Sequence, residues 1–204
     1  MTIVMNDGGP AFTAPPGGYD PVIGTNPIAF GIPTEGKPLV VDMATSKRAW
    51  AQVMLADKYG TDLPENAYYD NQGKVTVNPK AVHAAMPFGD YKGFALVLMI
   101  EVLCGSLIGM NNMMAVDDNT NVELGVTLND RGAFILVIDP RQTSDLDEFK
   151  KANTELTRKI KTTHSLRGQE IRIPGEQVSQ LQSSHIAEDL LNVPEELWQE
   201  IQAM

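Results

Sequence analysis

An α/β fold follows from three observations on this 204-residue sequence. Two compact apolar runs, LVVDM at Leu39–Met43 and AFILVI at residues 133–138, have the length and β-branched content of strands. Segments with helical spacing lie between and after them, at 46–57, 92–110 and from 144 onward. No internal repeat or low-complexity linker interrupts this alternation, so the chain reads as one α/β domain over residues 1–204, a mixed sheet with flanking helices.

The first 38 residues are broken by Gly8-Gly9-Pro10, Pro15-Pro16-Gly17-Gly18 and Gly36, which dictate turns. Within them GTNPIAFGIP (24–33) is a short apolar segment bounded by Pro27 and Pro33. The strand at Leu39–Met43 runs into Ala44-Thr45-Ser46, whose hydroxyls can cap a helix over 46–57. Trp50, Val53 and Met54 share one face of that helix. Residues 60–80 are polar, with a turn at Asn71-Gln72-Gly73. The segment 92–110 is apolar nearly all round, which predicts burial on every side. Residues 111–132 are polar and turn-rich. AFILVI then reads as a buried strand closed by Asp139-Pro140. Ser144 with Asp147 reads as a capping box, and Leu146, Phe149, Leu156 and Ile160 give the following helix an apolar face. Glu170–Ile173 reads as a short strand ended by Pro174-Gly175, and Pro194-Glu195-Glu196 opens a last helix.

A net charge of −10 argues against nucleic acid as a partner. One cysteine, Cys104, rules out an intrachain disulfide framework and sits in the apolar run as a small core residue. The N-terminus has no positively charged lead and no long apolar stretch, so no signal peptide is expected. Glu101 interrupts the single membrane candidate, Phe94–Met110, and no basic flank follows it; a soluble, cytoplasmic protein is expected. Neither GxGxxG after a strand, nor a P-loop, nor a GxSxG elbow occurs. Counted as a calcium loop from Asp117, the chain has Val122 where glycine is needed and Leu128 where glutamate is needed. His83, His164 and His185 are scattered without zinc-ligand spacing, and His83 reads as a packed or surface residue rather than an acid/base group.

Two elements survive. At the strand end Asp42-Met43-Ala44-Thr45-Ser46, a carboxylate and backbone amides can bind a ribose hydroxyl, phosphate or carboxylate, or can merely cap a helix. Lys92, at the mouth of an apolar helix, is either salt-bridged at the surface or paired with an anionic ligand.

Taken together, APPGG (14–18), GTNPIAFGIP (24–33), VVDMATS (40–46), the run 78–109, VIDP (137–140) and IPGE (173–176) resemble the malate/L-lactate dehydrogenase family. That family comprises NAD(P)-dependent oxidoreductases without a Rossmann fold, among them ureidoglycolate dehydrogenase and Δ1-piperidine-2-carboxylate reductase. The resemblance implies hydride transfer between nicotinamide, as NAD or NADP, and a 2-hydroxy or 2-oxo acid, and a homodimer. By motif it places Asp42, Met43 and Ala44 on one cofactor contact and Lys92 and Gly93 on a second. Thr25 and Asn26 fall on the substrate pocket. Asn6 and Asp7, in IVMNDGGP, fall where the family carries a polar pair, and Asp7 is the candidate catalytic group. The family's Ser-His-Gly motif and proton-donating histidine have no counterpart, so the chain resembles the C-terminal larger part of such an enzyme. Both an active dehydrogenase and a catalytically silent remnant that keeps fold, dimerisation or dinucleotide binding stay open. Where many members continue Ala-Arg-Gly-Lys, this chain has Ala49-Trp50-Ala51-Gln52, whose tryptophan resembles the ureidoglycolate dehydrogenase type.

Overall fold

The computed structural model describes residues 1–109, 132–188 and 193–203. Its principal sheet has four strands: β1 (Thr2–Asn6), β2 (Ile28–Ile32), β3 (Leu39–Met43) and β6 (Ala133–Val137), in the order β3-β2-β1-β6. A second, two-stranded sheet pairs β4 (Tyr68–Tyr69) with β5 (Ala84–Ala85). The helices are α1 (Trp50–Tyr59), α2 (Tyr91–Cys104), α3 (Leu146–Lys161), α4 (Glu176–Glu188) and α5 (Glu195–Ala203).

Within the α/β class, every ladder of the four-stranded sheet is antiparallel rather than mixed. The short Pro33–Pro38 connection between β2 and β3 leaves no room for the crossover that parallel pairing requires. Residues directly opposite one another in an antiparallel pair share a face. The register aligns Ile3 with Phe30 and Leu136, and Met5 with Ile28 and Phe134. This face packs on α2, where Ile28, Ile100 and Cys104 are buried with Ile3, Met5, Phe30 and Phe134 around them. A second cluster joins α1 to the small sheet through Phe12, Val53, Ala56, Leu63, Ala67, Tyr68 and Ala85.

Several expectations are corrected. The first helix starts at Trp50, not 46, and buries Val53 and Ala56, whereas Trp50 and Met54 are exposed. Trp50 instead meets Phe12 edge-on at 5.0 Å. α2 is not buried all round: Gly93, Val97, Ile100, Glu101 and Cys104 face inward, and Leu98, Met99 and Val102 are exposed. One sheet face can cover only one side of a helix. By length and composition alone, Tyr91–Ile108 would suffice to cross a membrane. β6 is an edge strand among the described residues, so Ile135 and Val137 are exposed rather than buried. α3 is capped by Asp145, whose carboxylate accepts from the Asp147 and Glu148 amides, while Ser144 Oγ donates to the Pro140 carbonyl. Residues 170–173 are not a strand; they lead into α4, which periodicity did not reveal. The polar 111–132 segment, with the calcium-like run from Asp117, lies outside the described residues except for Gly132.

Candidate functional site

Antiparallel order brings four chain ends to one end of the sheet: the last residues of β1 and β3 and the first of β2 and β6. The loops leaving there are stitched together. The Asp7 amide donates to the Gly132 carbonyl at 3.1 Å, and Thr25 Oγ1 to the Gly8 carbonyl at 3.3 Å. Thr45 is fully buried, and its amide and hydroxyl both donate to the Thr25 carbonyl, at 2.9 and 2.8 Å. The hydroxyl also reaches the Asn26 carbonyl at 3.0 Å. The same strand end then meets the residues leading into α2: Phe88 N–H donates to the Thr45 carbonyl at 3.1 Å, and Lys47 N–H to the Met86 carbonyl at 2.7 Å. Two segments that are distant in sequence are therefore adjacent.

This geometry decides against the helix-cap reading of residues 42–46. Ser46 Oγ donates to the Arg48 carbonyl at 2.7 Å, Thr45 is used between the loops, and α1 begins after Ala49 without a side-chain cap. Asp42, paired with Ala29, lies on the sheet face away from α2; Met43, paired with Ile28, lies on the α2 face. Both are exposed, and Ala44 is half-buried. Lys92 is exposed in the first turn of α2, with Nζ 5.9 Å from the Tyr91 ring centroid and no ion-pair partner among the described residues. Gly93 is buried, and a Cβ there would collide with the Phe88 carbonyl, so the fold itself requires glycine at this turn.

Asn6 is exposed at the end of β1, and Asp7 is half-buried, with Oδ1 accepting from the Gly9 amide at 3.3 Å. Asn26 is fully buried and lies beneath the surface rather than on it. Its carboxamide contacts Glu101, a residue that the sequence presents only as a break in an apolar run. A carboxylate on the inward stripe of a core helix was the available signal, because burying it requires a partner. His83 is held by Asp20, Nε2 to Oδ1 3.0 Å. Burial pushes the Cys104 thiol up from its ordinary value, as suits an inert core residue. No trio of His, Cys, Asp or Glu among the described residues is placed to hold a metal.

The sequence profile of the malate/L-lactate dehydrogenase family matches residues 1–202. The chain belongs to that family. It is 38% identical over 165 residues to the L-sulfolactate dehydrogenase of Methanothermobacter thermautotrophicus, covering 80% of this chain and 46% of that protein. The Delta(1)-pyrroline-2-carboxylate/Delta(1)-piperideine-2-carboxylate reductase of Pseudomonas syringae pv. tomato is 37% identical over 166 residues, covering 79% of this chain and 46% of that one. The solved sulfolactate dehydrogenase of Methanocaldococcus jannaschii superposes with a TM-score of 0.81 at 30% identity, over 97% of this chain and 56% of its own. The chain thus spans about half the length of the relatives it matches.

Proposed function

We propose that this family member serves an NAD(P)-dependent oxidoreductase that transfers a hydride between nicotinamide and a 2-hydroxy or 2-oxo acid, such as malate, lactate or ureidoglycolate. The observation that carries the reading is the hydrogen-bonded junction between the Met43–Thr45 strand end and the start of α2, with the Lys92 ammonium exposed beside it. The names of the relatives support a small carboxylate-bearing substrate. The donor set suits a dinucleotide: an exposed carboxylate at Asp42, an apolar Met43-Ala44 surface, and a cation at Lys92 with no ion-pair partner among the described residues. When bound, the nicotinamide supplies or takes up the hydride. Asp42 then serves a ribose hydroxyl, Met43 and Ala44 lie against the cofactor, and Lys92 neutralises a phosphate or carboxylate. Gly93 brings the backbone of that turn close.

Reduction of a carbonyl also needs a proton at its oxygen from a group within hydrogen-bond reach. Asp7 is the candidate carboxyl group for this role within the chain, with Asn6 next to it and Thr25 bonded to the neighbouring Gly8; a histidine outside these 204 residues is the proposed donor. The working protein is proposed to be a cytoplasmic homodimer without nucleic-acid or membrane partners.

The test is a panel of 2-oxo acids with NADH and with NADPH, run on the full-length gene product. Turnover of at least one acid with one cofactor is expected. Dinucleotide binding without turnover of any acid would favour the silent family member, and absence of both would overturn the reading.

A further inference from the structure

Two loops at the end of the sheet, 7–9 and 24–26, approach more closely than side chains allow. A Cβ on Gly8 would collide with the Asn26 amide and lie 2.7 Å from Thr25 Oγ1. One on Gly24 would lie 2.8 Å from the Gly9 carbonyl oxygen. At their junction Asn26 holds a φ of 32°, a left-handed conformation that asparagine tolerates better than most residues.

The Asn26 side chain binds in two directions. Its Oδ1 accepts from the Gly8 amide at 2.9 Å. Its Nδ2 donates to the Val97 carbonyl at 3.2 Å and to Glu101 Oε2 at 2.8 Å. Val97 and Glu101 lie one turn apart on the buried stripe of α2, the helix whose first turn carries Lys92. One carboxamide therefore ties the loop that presents Asp7 to the helix that presents Lys92.

A buried carboxylate is costly to desolvate, and apolar residues of similar volume often replace buried polar pairs without loss. What such a pair can supply is a fixed geometry, since both donor directions of the planar carboxamide and one of its acceptor directions are specified.

We propose that Asn26 and Glu101 are a buried positioning pair, setting Asp7 and Thr25 in register with the first turn of α2 so that substrate is aligned for hydride transfer. Neither residue touches cofactor or substrate. The inference rests on the oxidoreductase reading above, but the geometric part of it is measured separately.

The experiment uses the full-length gene product as wild type, Asn26→Asp, Glu101→Gln, Glu101→Leu and the double variant Asn26→Asp/Glu101→Gln. Asn26→Asp presents an acceptor where Nδ2 donated, facing the Val97 carbonyl and the Glu101 carboxylate. Its kcat is expected to fall about a hundredfold, the scale of a misalignment near 1 Å, with the KM for the nicotinamide cofactor nearly unchanged. The double variant restores a donor opposite the new acceptor and should recover about tenfold of that loss. Glu101→Gln keeps an acceptor for Asn26 and should retain more of kcat than Glu101→Leu. Glu101→Leu removes it and should lower kcat without moving the cofactor KM; it carries the test if Asn26→Asp does not fold.

Hydrogen exchange at the Gly8 amide is read in parallel, because it needs no activity. Its protection should fall in Asn26→Asp and return in the double variant while the β1–β2 amides stay protected. Loss of wild-type turnover on every acid tried would defeat the oxidoreductase reading and with it the catalytic half of the proposal, leaving the exchange result to decide the geometric half. Wild-type kcat in both Asn26→Asp and Glu101→Leu, or a defect in Asn26→Asp that the double variant does not relieve, would overturn the pair.

Discussion

At the scale of single residues, Lys92 and Tyr68 make opposite predictions. Lys92 is exposed and has no ion-pair partner among the described residues, so the fold gains little from its charge. If it neutralises a cofactor or substrate anion, Lys92→Ala should leave the melting temperature unchanged and weaken NADH binding about tenfold, the scale of one charge-assisted hydrogen bond. Equal affinities by fluorescence titration would remove Lys92 from the cofactor site. Tyr68 is fully buried, and its hydroxyl finds no partner among the described residues. Burial pushes its phenol up from the ordinary value, against a smaller opposing effect of Arg48. Tyr68→Phe removes only that hydroxyl, so thermal unfolding should show a variant at least as stable as wild type, by up to about 1 kcal/mol. A clear loss of stability would mean that the hydroxyl is satisfied. Such roles differ in how far they are legible in sequence. Lys92 stands out because charge at the start of an apolar helix is conspicuous. The family resemblance puts Asn26 at a pocket, and nothing local reveals that Glu101, 75 positions away, takes up its amide.

At the scale of elements, the strand Leu39–Met43 is read to the residue because its β-branched run and flanking turns agree. The α1 face is misread because the burial of Val53 and Ala56 depends on Phe12 and the small sheet, which periodicity cannot see. α4 is missed for a related reason. Its sequence EQVSQLQSSHIAE is largely polar, and what fixes its start is a tertiary contact. Lys161 Nζ, in the last turn of α3, donates to both Glu176 carboxylate oxygens at 2.8 Å, and the Ile173 amide donates to Oε2 at 3.3 Å. The Lys161 bond, then the Ile173 amide, hold the Glu176 carboxyl below its ordinary value of 4.5. A carboxyl depressed in the folded state stabilises it above the unfolded pKa and loses that contribution as pH falls through the folded value. The junction of α3 and α4 should therefore loosen on acidification below about pH 4.5. Exchange of α4 amides, corrected for intrinsic rates, should show protection falling in the acid range. Glu176→Gln should be less protected at neutral pH and nearly insensitive to acid. A wild-type profile as flat as that of the variant would show that the ion pair does not hold α4.

At the scale of the whole molecule, the packing on the four-stranded sheet is one-sided among the described residues. α2 covers only one face of the sheet, through Ile3, Met5, Ile28, Phe30 and Phe134. On the opposite face the register aligns Val4 with Ile135 and Thr2 with Val137, and the apolar Val4, Ile135 and Val137 stay in water: Ile135 is 65% exposed and Val137 69%. The outer side of α2 adds Leu98, Met99 and Val102. Exposed apolar residues are ordinary when scattered, but several on one sheet face beside a strand that is an edge among the described residues make a site of association. The 204-residue chain on its own should accordingly self-associate despite its net charge of −10, and its apparent mass by light scattering should rise with concentration. Salt should strengthen the effect by screening the repulsion between acidic chains. Placing charge on the exposed face, as in Ile135→Lys with Val137→Lys, should shift the population toward monomer without loss of helix content, because both side chains already face solvent. A monodisperse monomer of the unmodified chain at every concentration would show that the acidic charge outweighs this apolar face.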